Sequence, residues 1–189
     1  MRSVRPVNVS IALRRYIVTI AGCAILLCSV VSAHAQSSVW DTTISNTNWY
    51  VPVPHLLAYA APATSFANPI PIGDQTLWTL GVSTNGVFTG LSNAELALGP
   101  VTVFSDSTIQ GLVTTSGQIT MVFTPVGGGV ATVGLGQMRD IGGGLYGMEM
   151  QMMTGDSLLI THWAAMLPYD PGTFTPPAAA PVPTNASPQ

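Results

Sequence analysis

Positive charge and cysteine are the two things this chain nearly lacks. It contains no lysine, and four of its five arginines, Arg2, Arg5, Arg14 and Arg15, stand near its start. Beyond them Arg139 alone faces Asp41, Asp74, Glu95, Asp106, Asp140, Glu149, Asp156 and Asp170. Displacing phosphate counterions takes a cluster of basic side chains, so nucleic acid is excluded as a partner. Attraction to an anionic membrane surface is excluded for the same reason. The two cysteines, Cys23 and Cys28, share one early apolar run, and everything after it lacks a disulfide, a thiolate nucleophile or a thiolate metal ligand. A sustained helical period is missing too, which leaves alternation and turn signals to define the fold. So few charges imply a surface of Thr, Ser, Asn, Gln and Gly, suited to an exported β protein.

What is present begins with an address. Arg14 and Arg15 precede the apolar run "YIVTIAGCAILLCSVVS", which ends in Ala33-His34-Ala35. A basic region, an apolar region and an A-x-A site describe a cleavable secretory signal over residues 1–35. The expected product is an exported chain, periplasmic or extracellular, with no stable membrane insertion. Two readings compete with it: "IAGC" at Ile20 to Cys23 resembles a lipoprotein box, and the apolar run approaches the roughly 18–20 residues of a membrane span.

Three zones follow. Residues 36–75 include "NWYVPVPHLLAYAAPATSFANPIPIG", whose prolines favour extended backbone and oppose helix. The expectation is a Pro-rich arm packed along the body through Trp40, Trp49, Tyr50 and Tyr59. Residues 171–189, "PGTFTPPAAAPVPTNASPQ", read as a disordered, dispensable Pro/Ala-rich tail with little to bury. Residues 76–170 between them form the β domain.

In that domain "TLWTLGV" and "GVFTGL" flank Asn85-Gly86, a two-residue hairpin signal. "NAELALG" and "VTVF" flank Gly99-Pro100; "STIQGLVT" and "QITMVFT" flank Ser116-Gly117; "VATVGLGQM" and "LYGMEMQMM" flank a loose glycine turn; "SLLITHWAAM" closes the domain. Short turns join antiparallel neighbours. An all-β, up-and-down antiparallel meander of about eight strands is therefore expected, closed into a barrel to remove exposed edges. A two-layer β-sandwich is the alternative. The order of short strands, glycine-punctuated hairpins and a tryptophan in the closing strand resembles the calycin architecture of lipocalins and avidins. That resemblance implies a ligand-enclosing barrel. The lipocalin Gly-x-Trp does not stand at "SNTNWY", and no ligand residue is carried over.

The methionines of "YGMEMQMMTGDSLLITHWAAM" raise the question of a soft-metal site. Alternation puts Met148, Met150 and Met152 on one face, and polar Glu149 and Gln151 mark the other as wet. A two-residue loop at Gly155-Asp156 would set Met148 opposite Trp163, Met150 opposite Thr161 and Met152 opposite Leu159. His162 would then lie outside, opposite Glu149. Met148, Met150, Met152 and Trp163 are thus the expected interior lining, a binding surface for a small, mainly apolar molecule.

Same-face sulfurs about 7 Å apart along a strand cannot all hold one ion without a bend. Copper(I) through methionine is accordingly a minor alternative to packing. A Glu149–His162 pair lacks a nucleophile-elbow pattern, so no catalytic residue, cofactor or metal is assigned. The glycines of "VGGGVATVGLGQM" lack the helix a phosphate loop requires. The composite expectation is a non-enzymatic, exported ligand-binding barrel, with homo-oligomerisation left open. Its rival is a self-associating surface or matrix protein.

Overall fold

The computed structural model describes residues 39–52, 56–62, 64, 68–98, 100–155 and 158–179; the expected signal, 1–35, lies outside them. A short helix, α1 (Val39–Ile44), precedes β1 (Asn48–Tyr50), β2 (Leu56–Pro62), β3 (Ile70–Leu80), β4 (Val87–Leu98), β5 (Val101–Val113), β6 (Gln118–Pro125), β7 (Thr132–Gly142), β8 (Leu145–Gly155) and β9 (Leu158–Tyr169). From β3 to β9 each strand pairs antiparallel with the next, and β2 joins β9 back to β3. The result is a closed eight-stranded barrel with one extra strand, β1.

β1 occupies the same slot as β2. Both lie between β3 and β9, with Asn48 opposite Thr79 and Ala58 opposite Ile72. Ten steps along this stave therefore run beside seven along β3, so three residues are extra. The ladder of β1 stops at Tyr50, just before Val51-Pro52, and Pro52 has no N–H to give it. Gln75 supplies what the ladder lacks. Its Oε1 accepts from Val51 N at 3.0 Å and its Nε2 donates to Val51 O at 2.8 Å. The arm expected over 36–75 is thus corrected: this segment builds α1, the split stave and the first half of β3. Prolines inside a stave gave it a linker's composition.

Other strand boundaries also change. "VFTGL" and "NAELAL" belong to one strand, β4, and "VTVF" and "STIQGLV" to another, β5. The Asn85-Gly86 turn forms as expected, with φ of 54° and 81° and Thr84 paired to Val87. Positive φ at both central residues matches the right-handed twist of the flanking strands.

The two ends of the barrel differ. The β3–β4, β5–β6 and β7–β8 turns share one end, and α1 lies across it. Asp41 accepts from Gly86 N at 2.8 Å and from the Ser83 hydroxyl, Trp40 Nε1 donates to Thr115 O at 3.3 Å, and the Trp40 ring meets Tyr146 edge-on at 5.1 Å. Beneath α1, Ile44, Trp49, Trp78, Phe88, Ile119 and Met121 pack into one large apolar cluster. A much smaller cluster of Ala58, Ala60 and Ile72 lies towards the opposite end.

Part of the expected tail is built against the barrel. Phe174 stacks 4.8 Å from Tyr50 and 6.2 Å from Tyr169, whose own burial raises its pKa. Pro177 O accepts from Gln75 Nε2 at 2.9 Å, and Ala179 N donates to Glu95 at 3.1 Å. Composition showed little of this, because Phe174 is the tail's one large apolar side chain and backbone groups make the other two contacts; residues 180–189 lie outside the described set. Ending the chain at Asp170 is expected to cost about 1–2 kcal/mol, through lost Phe174 burial and hydrogen bonds. For a domain of this size that lowers the melting temperature by about 5 °C in a thermal scan. A loss under about 1 °C would mean the tail contributes nothing.

Candidate functional site

The barrel interior is filled near α1 and open towards the other end. Met148, Met150 and Met152 point inward, 1%, 0% and 7% exposed, and all three belong to the large cluster. Opposite them β7 offers glycines: a side chain at Gly136 would strike the Met150 sulfur, and one at Gly134 would meet Met150 Cε at 3.0 Å. The sulfurs fill space that the glycines leave, which is packing work suited to a flexible thioether.

Trp163 is not inside. It is 37% exposed on the outer wall, beside Tyr59, Leu135 and Met153. The expected register is off by three: Met148 faces Met166, Met150 faces Ala164, Gln151 faces Trp163 and Met152 faces His162. Gly155 pairs with Leu159, which leaves three residues in the connection instead of two. A change by an odd number turns every side chain of the strand over. β9 carries apolar residues on both faces, so its own pattern did not resolve the choice. Glu149, expected opposite His162, instead pairs with Arg139 at 2.9 Å on the surface.

The same turnover brings His162 inside, where it meets Asp74. β3 sends Ile72, Asp74, Thr76, Trp78 and Leu80 inward, all buried. β2 separates β3 from β9, and its inward side chains Ala58 and Ala60 are small enough for His162 to reach across. His162 Nδ1 lies against Asp74 Oδ2, with side chains 11% and 1% exposed. An ionised carboxylate only accepts, so Nδ1 carries the proton of this contact. The second carboxylate oxygen, Asp74 Oδ1, is buried with no hydrogen-bond partner among the described residues.

These two residues border a cavity of about 160 Å³. Phe123, Met152, Leu96 and Ile160 give it apolar walls, while Thr76, Ser92, Ser107 and Thr154 give it hydroxyls. A polar chain enters it from the core: Trp78 Nε1 donates to Thr76 Oγ1 at 2.9 Å, and Thr76 Oγ1 meets Ser92 Oγ at 3.2 Å. Among the described residues no hydroxyl is hydrogen-bonded to His162, and no three His, Cys, Asp or Glu side chains converge on a common point. The arrangement presents one buried acceptor in a small, mainly apolar space.

The pairing of Asp74 with His162 escaped the sequence reading, which set His162 opposite Glu149. The usable signal was in "IGDQTLWTL", where an aspartate interrupts the alternating face that carries Ile72, Trp78 and Leu80. Comparison with protein-family models, with curated proteins and with solved structures gave no match. The class of protein defined here is therefore that of its own geometry: a small closed β-barrel, capped at one end, with a small, mainly apolar cavity towards the other.

Proposed function

We propose that the protein is an exported, non-enzymatic barrel that binds a small, mainly apolar molecule in its interior. The observation that carries this reading is the cavity of about 160 Å³ beside Asp74 and His162. A dry cavity of about 150 Å³ suffices for benzene, so this one suits a single ring or a short chain. Eight-stranded barrels are just wide enough to hold one such ligand. Met152 and Phe123 form the floor; Met148 and Met150 support them from the packed core. Export rests on the segment before Gln36, and the resemblance to calycins agrees with a ligand-enclosing role.

The test is thermal unfolding with single-ring compounds. A ligand held at about 100 times its Kd stabilises the folded state by about 2.7 kcal/mol. Ser105→Phe, which places a ring at a half-buried cavity position, is expected to abolish that shift while the protein remains folded. An equal shift in the variant would place the ligand elsewhere.

A second reading, self-association, is favoured by the outer wall. Val133, Leu135, Met153 and Trp163 are 47%, 58%, 54% and 37% exposed and border a shallow groove there. Sedimentation over a range of concentrations separates the two readings, because a matrix protein enlarges with concentration and a binding barrel does not.

A further inference from the structure

The unpaired oxygen of Asp74 says what kind of molecule the cavity takes. A carboxylate oxygen kept from water costs free energy unless a donor reaches it, and a charged acceptor costs more than a neutral one. His162 satisfies Oδ2. Gln75, the next residue, points outward and is used up on Val51 and Pro177. Thr76 and Ser92 hydrogen-bond to each other, and Thr132 to Thr154. No described hydroxyl turns to Oδ1, although Asp74 and these hydroxyls line the same cavity.

We infer that the ligand is an apolar ring or short chain bearing one hydrogen-bond donor, a hydroxyl or an amine, which it gives to Asp74 Oδ1. This inference rests on the small-molecule reading above and adds the polarity of the ligand. The surroundings favour a donor over an anion. No lysine or arginine lines the cavity, and a ligand carboxylate would face Asp74 directly. A plain hydrocarbon would fill the space and leave Oδ1 without a partner. His162 holds the carboxylate in place through Oδ2, so little ordering of Asp74 remains to be done on binding.

Toluene, benzyl alcohol, benzylamine and benzoate share one ring and differ in the group it carries, so their affinities for the mature protein form the test. Benzyl alcohol or benzylamine is expected to bind at least about tenfold tighter than toluene, as a hydrogen bond to a charged acceptor would give. Benzoate is expected to show no saturable binding. Which of the two donors is preferred identifies the ligand's group. Asp74→Leu is expected to bring the alcohol and toluene within about twofold of each other, because the variant keeps the apolar walls and removes the acceptor. Equal binding of toluene and both donors by the wild type would overturn the inference and leave the binding reading standing. Binding of none of the four would overturn both. A preference that survives Asp74→Leu would place the acceptor elsewhere and also overturn it. If Asp74→Leu does not fold, the wild-type ratios alone decide.

Discussion

Gly136→Ala is expected to cost the protein about 3 kcal/mol, towards the upper end for an overpacked core. The residue sits on β7 directly opposite Met150 on β8. A Cβ built there falls well inside 3.0 Å of two atoms, the Met150 sulfur and the carbonyl oxygen of Glu149. The sulfur ends a flexible chain and can swing aside at modest cost. The carbonyl belongs to the neighbouring strand's backbone, and moving it means loosening the β7–β8 ladder. Urea denaturation of four variants separates the two obstacles. Gly136→Ala should shift the midpoint with little change in slope. Gly134→Ala, whose Cβ would meet only side-chain atoms at 3.0–3.4 Å, should cost about 1 kcal/mol. The double variant Gly136→Ala, Met150→Ala should recover none of the Gly136→Ala loss, because the carbonyl remains. Recovery to the level of Met150→Ala alone would show that the sulfur was the sole obstacle.

The barrel was legible because its outer logic is local. Turn dipeptides such as Asn85-Gly86 and the alternation of β6, in which Ile119, Met121 and Phe123 are buried and Thr120, Val122 and Thr124 exposed, need no distant information. Polar residues misled the strand boundaries. Ser92-Asn93 and Ser105-Asp106 look like turns in a one-dimensional reading. In the barrel Ser92, Ser105 and Ser107 line the cavity, and Asn93 Nδ2 donates to Asp106 Oδ1 at 2.6 Å on the outside. Prolines misled the N-terminal boundary in the same way. Pro52 stands at a break that Gln75 bridges from the adjoining strand at Val51, and nothing near it in sequence announces that partner.

The site was lost for a sharper reason. Its two chemical residues are 88 positions apart and meet only because β2 lies between their strands with alanines facing in. Whether His162 points in or out turned on one residue in a connection. A register error by an odd number exchanged it with Trp163, the aromatic that the sequence had placed inside. Met148, Met150 and Met152 kept their expected face because polar Glu149 and Gln151 fix the orientation of β8 without reference to β9. The strand whose alternation is clear was placed correctly, and the strand that is apolar on both faces was not.

That contrast gives the remaining large effect. Met150→Thr is expected to destabilise the protein by about 2–4 kcal/mol, while Gln151→Thr changes it by no more than about 0.5 kcal/mol. Threonine is well suited to a strand, so both substitutions keep the backbone preference and differ in the face they alter. Met150 is fully buried, lies over Gly136 and Gly134, and is paired with Ala164 across β9. These three small residues leave its side chain to fill the space. Truncation to threonine opens a cavity that alanine and glycines cannot close, and it adds a hydroxyl where the neighbouring groups are apolar. Gln151 is exposed on the outer wall beside Trp163 and loses little that water does not replace. Equilibrium unfolding of both variants measures the difference. Near-equal losses would mean that β8 is enclosed on both faces, as it would be if a second copy or another segment covered the outer groove at Trp163. A larger loss for Gln151→Thr would place the opposite face of β8 inside, and the cavity with it.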